Sequence, residues 1–146
     1  MGAAFSDVLE KTSIIRERSK LYNEPLFFTL VQKEIALGVH QCNGENNKSV
    51  LTKELYKKYK EYISGSRSML RMMWFMNYLI IMFTEIYSKK TAKISDCSSK
   101  AYDEALSPNH TFFVRTAARV AMGFCPDRKD LIYLVVEKDK DEVFAY

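Results

Sequence analysis

The 146-residue sequence predicts an all-α fold in one domain. Apolar residues recur at helical rather than alternating spacing along most of the chain. Gly, Pro and Asn fall where such runs begin and end. One stretch, Met69 to Phe83 (MLRMMWFMNYLIIMF), is apolar on nearly every side, which predicts a helix at the centre of the fold. The composition, 47% hydrophobic and 13% aromatic, supplies enough apolar surface for a core.

The elements follow in order. Phe5, Val8, Leu9 and Ile15 lie at helical spacing and predict a first helix over about 3–20. Asn23-Glu24-Pro25 breaks it, with Pro25 suited to the first turn of a second helix that carries Leu26, Phe27, Leu30, Val31 and Ile35. Gly38 stops that helix after Leu37. A polar loop covers 39–48. Ser49 is placed to cap a third helix reaching Ile63, with Gly65 as its stop, and Lys53, Lys57, Lys58 and Lys60 on a solvated face. The long apolar helix is expected over about 67–89, and a shorter one over 96–106. Ser107-Pro108 reads as a cap followed by a first-position proline, so the next helix is expected from Pro108 to Phe124, ended by Cys125-Pro126-Asp127. Leu131 to Val136 is ambiguous between helix and strand.

Net charge is +4, from 22 basic and 18 acidic residues. That excess fits a weak attraction to anionic membrane surfaces and is too small to argue for nucleic acid. Cys42, Cys97 and Cys125 are odd in number and lack CxxC spacing, and His40 and His110 are the only histidines, so neither a disulfide framework nor a metal site is expected. No signal peptide is expected, and Met69–Phe83 is shorter than the ~18–20 residues of a spanning helix. These features point to a cytoplasmic protein. Met1 to Ser6 matches the loose myristoylation pattern at Gly2, where an ordinary helix start is the preferred reading. Asn47-Lys48-Ser49 and Asn109-His110-Thr111 have the form of glycosylation sequons and carry no weight in a cytosolic chain.

Arg67 and Arg71 share one face of the most apolar helix, at i and i+4. Burying a guanidinium without an anion costs several kcal/mol or more, so a protein carboxylate or a ligand phosphate is expected beside them. Asp7 and Lys11 form a second i, i+4 pair, read most simply as a surface ion pair. His110 is expected at the third position of its helix, where free N–H groups and the helix dipole favour an anion. No Gly-rich phosphate loop, GxSxG elbow or HExxH is present, and no enzymatic constellation or cofactor site is expected.

The run AYDEALSPNHTFFVR (101–115), continuing to Pro126-Asp127-Arg128, resembles the signature of the glycolipid transfer protein family. Arg67-Ser68-Met69-Leu70-Arg71 and Asp7-Val8-Leu9-Glu10-Lys11 resemble the R-x-x-x-R and D-x-x-x-K motifs of its ceramide-1-phosphate branch. The resemblance, over about residues 5–136, implies a two-layer helical sandwich shortened at both ends. It implies a non-enzymatic carrier of a phosphorylated sphingolipid that touches membranes transiently. Lys11, Arg67 and Arg71 would hold the phosphate, Asp7 the ceramide amide and hydroxyl, and His110 the amide carbonyl. The lipid chains would lie among Phe27, Val31, Phe75, Leu79, Phe83, Phe112 and Phe124. Departures from the family pattern are Trp74 where relatives carry a basic residue, and Asn109 and Phe112 beside the histidine. The short ends suggest a homodimer or a partner chain that replaces missing helices. The alternative is a degenerate lipid-binding fold serving as a structural subunit of a membrane-associated assembly.

Overall fold

The computed structural model describes residues 2–136. Among the described residues the secondary structure is helical, with one isolated antiparallel bridge between Asn43 and Ile63, as the all-α expectation requires. The helices are α1 (Gly2–Tyr22), α2 (Phe27–Ala36), α3 (Asn47–Val50), α4 (Lys53–Tyr59), α5 (Gly65–Ser88), α6 (Ile94–Ala105), α7 (Phe112–Met122) and α8 (Arg128–Val136). The chain divides into two compact units between Met73 and Trp74, and α5 runs from the first into the second.

In the first unit α1 buries Lys11 and Ile14, while Leu9, expected on the apolar face, is 70% exposed. Pro25 lies outside α2 rather than in its first turn. Leu26, the N-cap residue, is still extended at ψ 136°, so helical geometry begins only at Phe27. The end of α2 follows expectation. Gly38 is left-handed at φ +71°, and the N–H groups of Gly38 and Val39 donate to the carbonyls of Ile35 and Glu34, closing a Schellman motif.

The single third helix is replaced by two short ones. Leu51 and Thr52 are extended, and Thr52 rather than Ser49 acts as a cap, opening α4 by accepting from the Leu55 N–H at 3.4 Å. Gly65, expected as a stop, is instead the first residue of α5. Its missing side chain admits α2: a Cβ there would lie 2.9 Å from Leu30 Cδ2. The small core of this unit is Val39, Cys42 and Tyr62, with Tyr22, Leu37, Leu51 and Tyr59 packed around it.

In the second unit α6 buries Ile94, Cys97, Ser98, Ala101, Tyr102 and Ala105, one continuous face at helical spacing. Pro108 opens a 3-10 turn (Ser107–Asn109), not α7. His110 and Thr111 are extended, so α7 starts at Phe112. Leu131–Val136 is helical, and α8 is opened by Asp127, whose carboxylate accepts the Asp130 N–H at 2.9 Å. The Arg128 guanidinium donates to the carbonyls of Ile86 and Lys89 at 2.7 Å and Ala92 at 3.3 Å. It thereby satisfies groups left open at the end of α5.

The expectation that the long helix is buried on all sides is corrected. Of the described residues, α5 alone is long and apolar enough by length and composition to cross a membrane, yet only 6% of its most apolar window is buried. Leu70, Met73, Met76, Ile80, Phe83 and Tyr87 form an exposed stripe along it. Three- and four-residue steps return to the same side of a helix, so these side chains make one apolar strip, each between 39% and 84% exposed. On α7 Phe112, Phe113, Val114 and Val120 are likewise exposed, followed by Phe124.

Candidate functional site

The site in the first unit is built from the start of α5. A new helix leaves its first N–H groups without intrahelical partners. Here Glu34 of α2, fully buried, takes two of them. One carboxylate oxygen accepts the Gly65 N–H and the Tyr62 hydroxyl, both at 2.8 Å. The other accepts the Ser66 N–H at 2.8 Å and the Ser66 hydroxyl at 2.5 Å. Ser64 takes the third, accepting the Arg67 N–H at 2.9 Å. Arg18 adds a bond to the Ile63 carbonyl at 2.9 Å and lies 4.5 Å from the Tyr62 ring centroid. Burial, together with hydrogen bonding to Tyr22 and Glu34, pushes the Tyr62 hydroxyl far above the usual tyrosine range. The positive end of α5 is therefore consumed internally. Any anion bound near this turn must be held by side chains.

Those side chains line one open cavity of about 450 Å³: Lys11 from α1, Arg67, Ser68 and Arg71 from α5, with Glu10, Glu45, Asn43, Gly44 and Ile63. The two arginines are one helical turn apart. Burial, and then the charge of Arg71, lower the Arg67 pKa below the usual guanidinium value. An anion between them would offset the repulsion and favour the charged form of both guanidinium groups. The ion pairs among the described residues include none with Arg71. Lys11 is buried, and its ammonium lies 3.3 Å from both Asp7 and Glu10. The pair with Asp7 is thus not a pair of two surface groups: Asp7 is exposed and Lys11 is not.

The cavity's remaining wall is set by Asn47, which is fully buried. Its side-chain oxygen accepts the Asn43 and Gly44 N–H groups at 3.0 and 3.2 Å, and its NH2 reaches the carbonyls of Tyr59, Lys60 and Tyr62 at 2.8–3.1 Å. Gly44 adopts φ +85° in this wall. Sequence reasoning singled out neither Glu34 nor Asn47 for this job. The only local signal was a polar residue beside a helix end.

His110 belongs to the second unit. It is not at the third position of α7 but precedes the cap residue Thr111. Its own N–H closes the 3-10 turn on Ser107 at 3.2 Å, so helix-dipole placement is corrected. Its Nδ1 is 2.8 Å from the buried Tyr102 hydroxyl. With that hydroxyl donating, the ring proton sits on Nε2, the form that donates to a carbonyl. Of the residues expected around lipid chains, Phe27 and Val31 lie on α2 in the first unit, Phe27 at its exposed edge and Val31 half-buried. Phe75 and Leu79 are half-buried, and Phe83, Phe112 and Phe124 are exposed, all in the second unit. Trp74 is half-buried.

A sequence model of the family described as glycolipid transfer protein matches residues 1–137. The fold is similar to the crystal structure of mouse ceramide-1-phosphate transfer protein in its apo form, with a TM-score of 0.65 and 22% sequence identity. That similarity covers 97% of this chain and 66% of the mouse chain, so this chain spans about two-thirds of its structural relative. No curated protein sequence matches the chain.

Proposed function

The chain belongs to the glycolipid transfer protein family, and from that premise we propose that it binds a phosphorylated sphingolipid of the ceramide-1-phosphate kind and carries it between membranes. Members of the family transfer lipids and are not enzymes. The observation that carries the headgroup assignment is the convergence of Lys11, Arg67 and Arg71 on one cavity. Among the described residues no aromatic side chain lines that cavity, so it lacks a platform on which a sugar would stack. Two guanidinium forks one turn apart suit the oxygens of a phosphate. Asp7 would orient Lys11 and accept from the ceramide amide and hydroxyl, and His110 is the second unit's candidate donor to a lipid carbonyl.

The chains of the lipid would be held by apolar side chains of the kind exposed on α5 and α7. Each methylene removed from water contributes roughly 0.8 kcal/mol, and a membrane returns the same gain at release, so carriage needs no chemical energy. Contact with the membrane is transient and cytoplasmic in this reading, and an acyl chain at Gly2 is not required.

The test compares transfer of ceramide-1-phosphate and galactosylceramide between vesicles. The wild type should prefer the phosphate lipid. Arg71→Leu should cost a charge-assisted contact of ~1.5–3 kcal/mol, about ten- to a hundredfold in affinity. Equal handling of both lipids, or an unchanged preference in the variant, refutes the assignment. The exposed apolar strip on α5 also favours a second reading, a subunit whose strip is covered by a partner chain or a second copy. A monodisperse monomer on size-exclusion that transfers lipid excludes it.

A further inference from the structure

Resting on the phosphate-headgroup reading, we infer that among phosphorylated sphingolipids the site prefers a phosphodiester ending in an ammonium group, of the phosphoethanolamine kind, to the bare phosphate monoester of ceramide-1-phosphate. The cavity that holds Lys11, Arg67 and Arg71 is also lined by Glu10 and Glu45. With Asp7, 3.3 Å from the Lys11 ammonium, three carboxylates stand against the three cations, so the formal charges balance. A phosphate monoester carries about −1.5 to −2 at neutral pH, because its second pKa is near 6. A phosphodiester carries a single negative charge, and with a terminal ammonium the headgroup as a whole is neutral, which matches that balance.

The placement of the acids acts in the same direction. The Lys11 ammonium already lies 3.3 Å from the Glu10 carboxylate and 3.3 Å from Asp7, so much of its charge is answered within the protein. The guanidinium pair then remains as the main anion holder. A second negative charge on the ligand would meet Glu10 and Glu45 instead of a further cation, and like charges repel at close range. A terminal ammonium reverses that: it would find two carboxylates in the cavity whose arginines hold its phosphate. About 450 Å³ leaves room for such an extension beyond the phosphate. Glu45 is exposed and Glu10 is 60% exposed at its side chain, so neither carboxylate is a structural member of the core.

The experiment measures vesicle-to-vesicle transfer of ceramide phosphoethanolamine, ceramide-1-phosphate, galactosylceramide and phosphatidylethanolamine by the full chain, beside Glu45→Gln, Glu10→Gln and the double variant. Ceramide phosphoethanolamine should lead. Each substitution should lower its transfer and raise that of ceramide-1-phosphate, shifting the ratio up to about fivefold per site. Opposite changes for two lipids are not produced by loss of folding, which lowers both. Ceramide-1-phosphate leading in the wild type, or a ratio unmoved by all three variants, overturns the inference while the phosphate reading stands. Galactosylceramide equal to both phosphate lipids overturns the phosphate reading itself. Phosphatidylethanolamine transferred as well as its ceramide counterpart supports the ammonium phosphodiester and overturns the restriction to a sphingolipid body.

Discussion

Replacing Glu34 tests whether one buried carboxylate holds the first turn of α5. That carboxylate receives four hydrogen bonds of 2.5–2.8 Å. Glu34→Ala removes every acceptor at once. The Ser66 groups are half-exposed and can turn to water, but Gly65 is buried and so is Tyr62. A buried donor left without a partner costs about 1–3 kcal/mol, so two of them, with the void left by the side chain, give about 3–5 kcal/mol. Glu34→Gln keeps one oxygen for Tyr62 and Gly65 and turns an NH2 toward the Ser66 donors, a single conflict costing about 1–2 kcal/mol. Urea denaturation followed by circular dichroism reads both, with the slope unchanged and the midpoint falling in the order wild type, Gln, Ala. An Ala variant within about 1 kcal/mol of wild type, or a Gln variant as unstable as Ala, refutes the reasoning.

Asn47→Ala should destabilise the chain by about 2–4 kcal/mol, because Asn43, Gly44 and three carbonyls lose their shared partner. Faster amide hydrogen exchange at Asn43 and Gly44 is the local check. Glu85 is bound by Lys100 at 2.6 Å and Lys89 at 2.7 Å, and these bonds lower its carboxyl pKa. A depressed folded-state pKa stabilises above the unfolded value near 4.3 and loses that contribution as pH falls through the lower folded one. The difference in thermal midpoint between wild type and Glu85→Gln should therefore be present at pH 7 and vanish in acid. A difference independent of pH contradicts the assignment.

The periodic elements were readable because burial there follows spacing. The buried face of α6 recurs every three or four residues, and the left-handed Gly38 ends α2 where a helix needs a residue without a Cβ. The Arg67–Arg71 pair was readable for the same reason. Glu34 was not: in FFTLVQKEIALG a glutamate looks like a solvent position, and nothing local says that the start of another helix and the loop before it will deliver four donors to it. Asn47 sits in a polar run that reads as a solvated loop. Gly65 and Pro108 were misplaced because glycine and proline mark several kinds of junction. Which kind depends on what packs beside them, as Leu30 does beside Gly65. The exposed strip on α5 was hidden by composition, since an apolar helix reads the same whether its neighbours are present or not.

The buried amide of Asn47 has a consequence for where this fold can be made. Asn47-Lys48-Ser49 is an acceptor sequence for N-linked sugar, and the acceptor atom is the same nitrogen that reaches the carbonyls of Tyr59, Lys60 and Tyr62. Once the chain is folded no transferase can touch that atom. Before folding it is open, and a sugar attached then could not be brought inside, because there is no space for it and no spare acceptor. Glycosylation at this position and completion of the first unit exclude each other. A copy sent through a secretory compartment would lose the wall of the cavity lined by Lys11, Arg67 and Arg71 to a sugar attached at this position. The same copy made where oligosaccharide transfer does not occur would close normally.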